Sequence, residues 1–166
     1  MTDQTFTPDA TNARAFRDAL GRFATGIAVI TTQGPDGPVG FTANSFASVS
    51  LDPPLVLWSP AKSSLRFAIF AAAQHYTIHI LAADQANLCH RFVRGGAGFD
   101  GLQPQITAEG VPVIPGALAR FDCAQHACHD GGDHLIVVGR VLRCAASDDA
   151  PLVFSRGTYG SFIPKG

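Results

Sequence analysis

Charge is what this sequence has least of. Asp, Glu, Lys and Arg make up 15% of its 166 residues, against 46% hydrophobic residues. That is low for a soluble domain, so part of the surface is expected to be covered by a partner chain. The charges present nearly cancel, to −1, and no run of lysines or arginines occurs. This argues against an electrostatic nucleic-acid binder. No apolar stretch approaches the roughly 20 residues that a membrane span requires, so no membrane association is expected. The start, MTDQTFTPDA, has neither the basic residues nor the apolar run of an export signal. Cys89, Cys123, Cys128 and Cys144 lack the spacing of a secreted disulfide framework and are expected to be reduced thiols in the cytoplasm. A dinucleotide glycine fingerprint, a βαβ alternation, a nucleophile elbow and an internal repeat are all missing. The length favours a single domain over residues 1–166, with residues 1–10 expected to be flexible.

What is present reads as short strands with turn signals between them. Thr11 or Asp9 is placed to cap a first helix, in which Phe16, Leu20 and Phe23 fall on one stripe. GIAVITT reads as a strand, and the Pro-Asp-Gly signal after it makes Gly26 to Phe41 a hairpin. Strands follow near Phe46 to Ser50 and Leu55 to Trp58, separated by LDPP. Ser63 or Ser64 is placed to cap a second helix with Leu65, Ala68, Ile69 and Ala72 as its buried stripe. YTIHIL alternates as a strand, and Asp84 is placed to cap a short third helix ending near Phe92. GGAGFDG and the Pro-rich stretch from Gln103 to Pro115 read as loops. Ala119 to Cys128 and His134 to Leu142 read as strands joined by a DGGD turn, and PLVF as a last short strand. Short antiparallel strands with turn signals and a few interspersed helices make the expected fold mainly β, a closed or partly closed β-barrel.

Three stretches carry candidate chemistry. In GFTANSF, small polar residues interrupt an apolar strand, with Thr42 and Asn44 on one face and Ala43 and Ser45 on the other. Left unpaired in a core, such groups cost about 1–3 kcal/mol each. Their partners are either backbone at a strand end or a planar heteroaromatic ligand such as a flavin ring. In SPAKSS, Lys62, Ser63 and Ser64 precede a predicted helix. That arrangement suits a phosphate, or else forms a plain serine cap beside a solvent-facing lysine. In CAQHACHDGGDH, alternation puts Cys123 on the opposite face from His126 and Cys128, so a metal-binding module there is disfavoured. His134 follows a Gly-Gly-Asp turn and opens an apolar strand. It is either a ligand-facing donor held by Asp133 or a half-buried turn histidine.

The motifs FRDALGRFATGIAVITT, GFTANSFASVSLDPPLV, SPAKSS, GDHLIVVGRV and PLVFSRGTYG together resemble, in order, the short-chain flavin reductases, the reductase components of two-component flavin-dependent monooxygenases. The resemblance spans roughly Phe16 to Phe162. It implies a mainly β fold, an antiparallel Greek-key split β-barrel with a few peripheral α-helices that binds FMN, a homodimer, and an NAD(P)H:flavin oxidoreductase that uses NADH or NADPH to reduce FMN or FAD by hydride transfer to N5. The reduced flavin would pass to a partner monooxygenase. Thr42, Ala43, Asn44 and Ser45 are implied to line the isoalloxazine, and Ser59, Lys62, Ser63 and Ser64 to hold the ribityl-phosphate end. Arg91 and Phe92 are implied to lie beside the flavin, His134 to meet the nicotinamide, and Arg156 and Tyr159 to lie near the cofactors. Trp58 and Pro60 stand where many members carry Asn or a similar residue, and so are expected to alter how the ribityl chain is held. Two rivals remain at this stage. One is a non-turnover FMN-binding electron carrier with the same fold; the other is a metal or redox module built on Cys123, His126 and Cys128.

Overall fold

Seven residues of one strand explain why the run GIAVITT is apolar on both sides. In strand β2 (Ala28–Gly34), Ala28 and Ile30 enter one core while Val29 enters another. A computed structural model provides the structure and describes residues 5–93 and 98–164. Of the expected flexible segment 1–10, residues 1–4 lie outside the described residues, as do residues 95–97 of the predicted GGAGFDG loop. The β2 strand forms a hairpin with β3 (Gly37–Ala43) and pairs on its other side with β6 (His75–Ile80). Next to β6 lie β9 (Ala119–Gly131), β10 (His134–Ala146), β5 (Pro54–Trp58) and β4 (Ala47–Leu51), completing one antiparallel seven-stranded sheet. A second sheet combines β1 (Thr25–Gly26), β11 (Leu152–Ser155) and β12 (Thr158–Ser161).

The order β3-β2-β6-β9-β10-β5-β4 forces the large sheet to curl. Its two outer strands, β3 and β4, are joined only by Asn44, Ser45 and Phe46. Six interstrand spacings of about 4.8 Å would hold the edges of a flat sheet about 29 Å apart. The four Cα steps from Ala43 to Ala47 reach at most about 14 Å. The sheet therefore closes into a barrel whose seam, between β3 and β4, is bridged by chain rather than by ladder hydrogen bonds. This is the split barrel expected from the sequence.

The barrel interior is aromatic. Trp58 is fully buried and meets Phe41, Phe70 and Tyr76 edge-on, with centroids 5.6, 5.3 and 6.0 Å away. Phe46, at the seam, stacks on Phe121 at 5.5 Å. Outside the sheet, Ile27, Val29, Leu81, Cys89, Phe92 and Leu152 form the second core beneath helix α3 (Ala86–Arg91) and β11.

Several boundaries differ from the sequence reading. Helix α1 (Ala13–Leu20) starts at Ala13, with Asn12 at its cap position. Asp9 instead shapes the turn before it, accepting from the Thr11 amide at 2.8 Å and the Thr11 hydroxyl at 2.6 Å. Within the chain, its stripe of Phe16, Leu20 and Phe23 is exposed. Helix α2 (Phe67–Ala72) starts beyond Ser63 and Ser64, so neither serine caps it. Because it begins two residues after Leu65 and turns a different face inward, Phe70 is its buried residue. Leu65, Ala68 and Ala72 are exposed. The third helix starts with a 3-10 turn over Ala83–Gln85. There the Gln85 side chain, not Asp84, accepts the Ala82 amide at 3.0 Å. The predicted Gln103–Pro115 loop contains a small ribbon of β7 (Gln105–Ile106) and β8 (Pro112–Val113). The β9–β10 hairpin extends three residues beyond the predicted Cys128 and four beyond Leu142, narrowing its turn to Gly132 and Asp133. A bulge at His126 also reverses the predicted alternation. Cys128 opposes Val137 and Cys123 opposes Val141, so the two cysteines share a face. Even so, no cluster able to hold a metal occurs among the described residues.

Two polar groups are locked between the layers. The Asp122 side chain, almost fully buried, lies 3.2 Å from both Arg120 and Arg143 and accepts from Thr77 at 3.2 Å. His79 is wholly buried, with Nδ1 3.0 Å from the Val29 carbonyl and Nε2 accepting the Ile114 amide at 3.0 Å. Nδ1 therefore carries the proton of a neutral ring. Burial, above all, pushes the His79 pKa down to about 4 from 6.5. An unfolded chain takes up this proton as pH falls below 6.5, and the native state does not until about 4. The contribution of His79 is thus complete above pH 6.5 and is lost on acidification through that window, to the extent of about 3 kcal/mol. Thermal unfolding measured from pH 7 to pH 4 should fall less steeply for His79→Gln than for wild type. Parallel slopes would assign the loss to carboxylates instead.

Candidate active site

The seam decides where polar side chains go. β3 has a ladder partner only on its β2 side, so its outer edge must satisfy its backbone elsewhere. The Thr42 amide donates to the Phe92 carbonyl at 3.3 Å, and the Thr42 hydroxyl donates to the Cys89 carbonyl at 2.8 Å. Ser45 Oγ accepts the Ser59 amide at 2.9 Å and donates to the Ser59 carbonyl at 3.3 Å. Both hydroxyls are therefore satisfied by backbone. Ser45 also fastens the seam to the start of SPAKSS. Ala43 is buried at the end of β3, while Asn44 is exposed and makes no side-chain hydrogen bond among the described residues.

Arg66, which the sequence reading passed over, holds this edge in place. Its Nη1 donates to the carbonyls of Gly40 and Phe92, both at 2.6 Å, and its Nη2 to that of Val93 at 2.9 Å. The guanidinium also sits 4.8 Å from the centroid of the Phe41 ring. The available signal was a lone arginine set in the apolar run LRFAIF.

The SPAKSS loop lies against the β9–β10 turn. The Lys62 amide donates to the Asp133 carbonyl at 2.9 Å, and the Leu135 amide to the Pro60 carbonyl at 3.1 Å. The Lys62 ammonium pairs with Asp130, holding that carboxyl below its usual range. His134 Nδ1 lies 2.7 Å from Asp133 Oδ1, which lowers the Asp133 pKa in turn. With Nδ1–H donating to Asp133, a neutral His134 ring keeps Nε2 as an acceptor.

Beside His134 opens a cleft of about 780 Å³. Ligand sites commonly measure about 300–1,000 Å³. Asn44 and His134 line one side of the cleft. Arg17, Leu20, Arg22 and Phe23 line it from α1 and the turn after it, and Thr25, Phe154 and Arg156 from the small sheet. The cleft thus brings together three residues singled out by sequence, Asn44, His134 and Arg156, with Ser59, Lys62, Ser63 and Ser64 on the adjoining loop. The other candidates lie elsewhere. Phe92 is wholly buried in the second core, and Arg91 donates to the Asp100 carbonyl. Tyr159 Oη lies 3.0 Å from Cys89 Sγ, a contact that pushes the tyrosine up to about 12, while burial raises the Cys89 thiol above its ordinary value. Trp58 is enclosed in the barrel. Arg17, Arg22 and Phe154 join the site unannounced, because residues far apart in sequence meet there.

A flavin nucleotide fits what is present. Leu20, Phe23 and Phe154 offer an apolar wall for a planar ring. Among the described residues the Thr25 hydroxyl is buried with no partner, and the cationic side chains lining the cleft outnumber its one carboxylate, Asp18. An antiparallel barrel split along one seam, with a polar-rimmed cationic cleft beside that seam, defines a split-barrel protein with a cleft suited to an anionic ligand. Residues 20–162 match the flavin reductase like domain, and the chain belongs to that family. It is 58% identical over 160 residues to an FMN reductase (NADH), SmoA, of Agrobacterium fabrum, covering 96% of this chain and 92% of that one. It is 39% identical to HsaB of Rhodococcus jostii, the reductase subunit of a flavin-dependent monooxygenase, covering 94% and 81% of the two chains. Among solved structures it resembles the NADH:FAD oxidoreductase SgcE6 of Streptomyces globisporus, in complex with NAD and FAD fragments. The TM-score is 0.88 at 34% identity, covering 96% of this chain and 98% of that one.

The close approach of β3 to Phe92 supplies a test of how the seam is held. A Cβ on Gly40 would come within 2.2 Å of the Phe92 ring, which is buried and has nowhere to move. Gly40→Ala should destabilise the fold by about 1–3 kcal/mol through overpacking, read as a lowered denaturant midpoint. An unchanged midpoint would show that the ring repacks freely.

Proposed function

We propose that this protein is an NAD(P)H:flavin oxidoreductase that reduces freely exchanging FMN or FAD and hands it to a flavin-dependent monooxygenase. The observation that carries the reading is the cleft shared by Asn44, His134 and Arg156 beside the SPAKSS loop. The relatives' activities support it. A bound flavin supplies the electron-accepting ring for the nicotinamide hydride. The chain's own part is binding, orientation and exclusion of water.

In this reading Thr42, through its bonds to the Cys89 and Phe92 carbonyls, fixes the backbone of Ala43 and Asn44 along the ring. Ser45, tied to Ser59, keeps ring and phosphate subsites at a constant separation. Lys62, Ser63 and Ser64 receive the flavin phosphate, with Lys62 exchanging Asp130 for the ligand. His134, oriented by Asp133, positions the nicotinamide and is not required as a proton donor. Arg91, Phe92 and Tyr159 act one layer back, through the carbonyls and helix that border the seam. A homodimer is part of the proposal, supported by the low charge content and by the exposed Phe16, which lies outside the cleft lining. No helix among the described residues is long and apolar enough to cross a membrane; cytoplasmic action is proposed from the reduced cysteines.

Purified protein mixed with NADH or NADPH and free FMN or FAD should consume the nicotinamide absorbance. Failure in all four combinations would sink the enzyme reading, and a yellow protein whose flavin never exchanges would favour an electron carrier. Lys62→Ala should weaken FMN binding measured by titration, with a larger difference from wild type at low salt than at high salt. Equal affinities would remove Lys62 from the phosphate subsite.

A further inference from the structure

The SPAKSS loop is pinned at both ends, and both pins reach the β3 seam. At its start, Ser45 fastens Ser59. At its end, Ser64 Oγ accepts the Arg66 amide at 3.3 Å, and the Ser64 carbonyl accepts the Phe67 amide at 3.0 Å. The Arg66 side chain then leaves this turn for the outer edge of β3. Its Nη1 donates to the carbonyls of Gly40 and Phe92, and its Nη2 to that of Val93. The Phe92 carbonyl also accepts the Thr42 amide, at 3.3 Å. Ser64 and Thr42 are therefore joined through one residue and one shared carbonyl.

The join needs a guanidinium. The three carbonyls come from two elements, β3 and the turn that follows α3. A rigid planar fork fixes the offset between two elements as well as their separation, whereas an ammonium is a single point. The Phe41 ring backs the fork and is itself held edge-on by Trp58 and Phe70. Keeping α2 on the barrel does not require Arg66, since Phe70 already anchors that helix in the aromatic core. Ser64 is equipped for the other end of the join. A hydroxyl that accepts the Arg66 amide keeps its own O–H to donate. It can hold a phosphate oxygen and the Arg66 backbone at once.

We propose that Arg66 is a positioning residue that couples the phosphate loop to the ring edge, so that flavin phosphate and isoalloxazine are bound as one unit. This rests on the reductase reading and adds to it a source of preference among flavins. A ligand that spans both subsites gains from a fixed offset between them, because binding at one end delivers the other at high effective concentration. A flavin without phosphate has no such gain. Arg66 thus sets the preference for phosphorylated flavins over riboflavin through the backbone it holds.

The test titrates FMN and riboflavin separately into flavin-free protein and follows the quenching of flavin fluorescence. Arg66→Lys keeps the charge and loses the fork. It should weaken FMN binding about tenfold and leave riboflavin binding as in wild type. The double variant Lys62→Ala/Arg66→Lys should lose little more FMN affinity than Lys62→Ala alone, the mark of two residues acting in one coupled unit. Arg66→Gln, which retains a donor but lacks the reach, should lower the FMN-to-riboflavin ratio as Arg66→Lys does, and it serves if the lysine variant does not fold. An equal loss of both flavins overturns the proposal, as do unchanged affinities or additive losses in the double variant. A merely structural arginine would lower the unfolding temperature and leave the FMN-to-riboflavin ratio at its wild-type value, which also overturns it. Wild type that binds neither flavin removes the reductase reading and the coupling with it. Wild type that prefers FMN, with Arg66 variants that share its preference, removes only the coupling.

Discussion

Three residues join the two outer strands of a seven-stranded sheet, and much of the site follows from that shortness. Asn44 to Phe46 cannot reach across a flat sheet, so the sheet closes and leaves a seam at β3 and β4. A seam is the one line on a barrel where strand-edge groups are not consumed by a neighbouring strand. Here part of that edge is met by helix-end carbonyls, through Thr42, and part by the next loop, through Ser45. What remains available along the seam is the side of Asn44 and the mouth beside His134. The barrel therefore concentrates open polar groups in one place without breaking its own core.

That core explains why the seam can be rigid. Phe46 follows the polar run directly and stacks on Phe121 across the barrel, and Trp58 fills the centre between Phe41, Phe70 and Tyr76. On the outer side, Phe92 occupies the space that glycine at position 40 leaves open, and Arg66 ties the carbonyls of both residues together. Polar bridging residues alternate with apolar anchors, so each hydroxyl is positioned by a packed neighbour. The small polar residues in GFTANSF are in this sense fasteners as much as ligand contacts.

How much of this the sequence announced depends on the range of the interaction. Strand alternation, the Pro-Asp-Gly hairpin and the DGGD turn are local, and the strands they mark are present. The barrel class could be read because short antiparallel strands with turns leave few alternatives. The starts of α1 and α2 were misplaced because Asp9, Ser63 and Ser64 can serve turns as readily as caps. The bulge at His126 was unreadable, since it is set by pairing with β10 and not by the residues near it. Arg17, Arg22 and Phe154 were missed for the same reason. They become neighbours only when the C-terminal hairpin packs on the turn at Gly21, more than a hundred residues away.

The burial of Trp58 bears on which flavin the cleft accepts. Its place in WSPA suggests an influence on the ribityl chain, yet its indole lies wholly inside the barrel and Pro60 contributes a carbonyl to the β10 backbone. Neither side chain projects along the surface from Ser59 to Ser64. Changing Trp58 would first create a cavity among three aromatic rings, and would reach the ligand only through lost stability. Discrimination between one phosphate and two must then come from groups outside the barrel, where charge is free to meet charge.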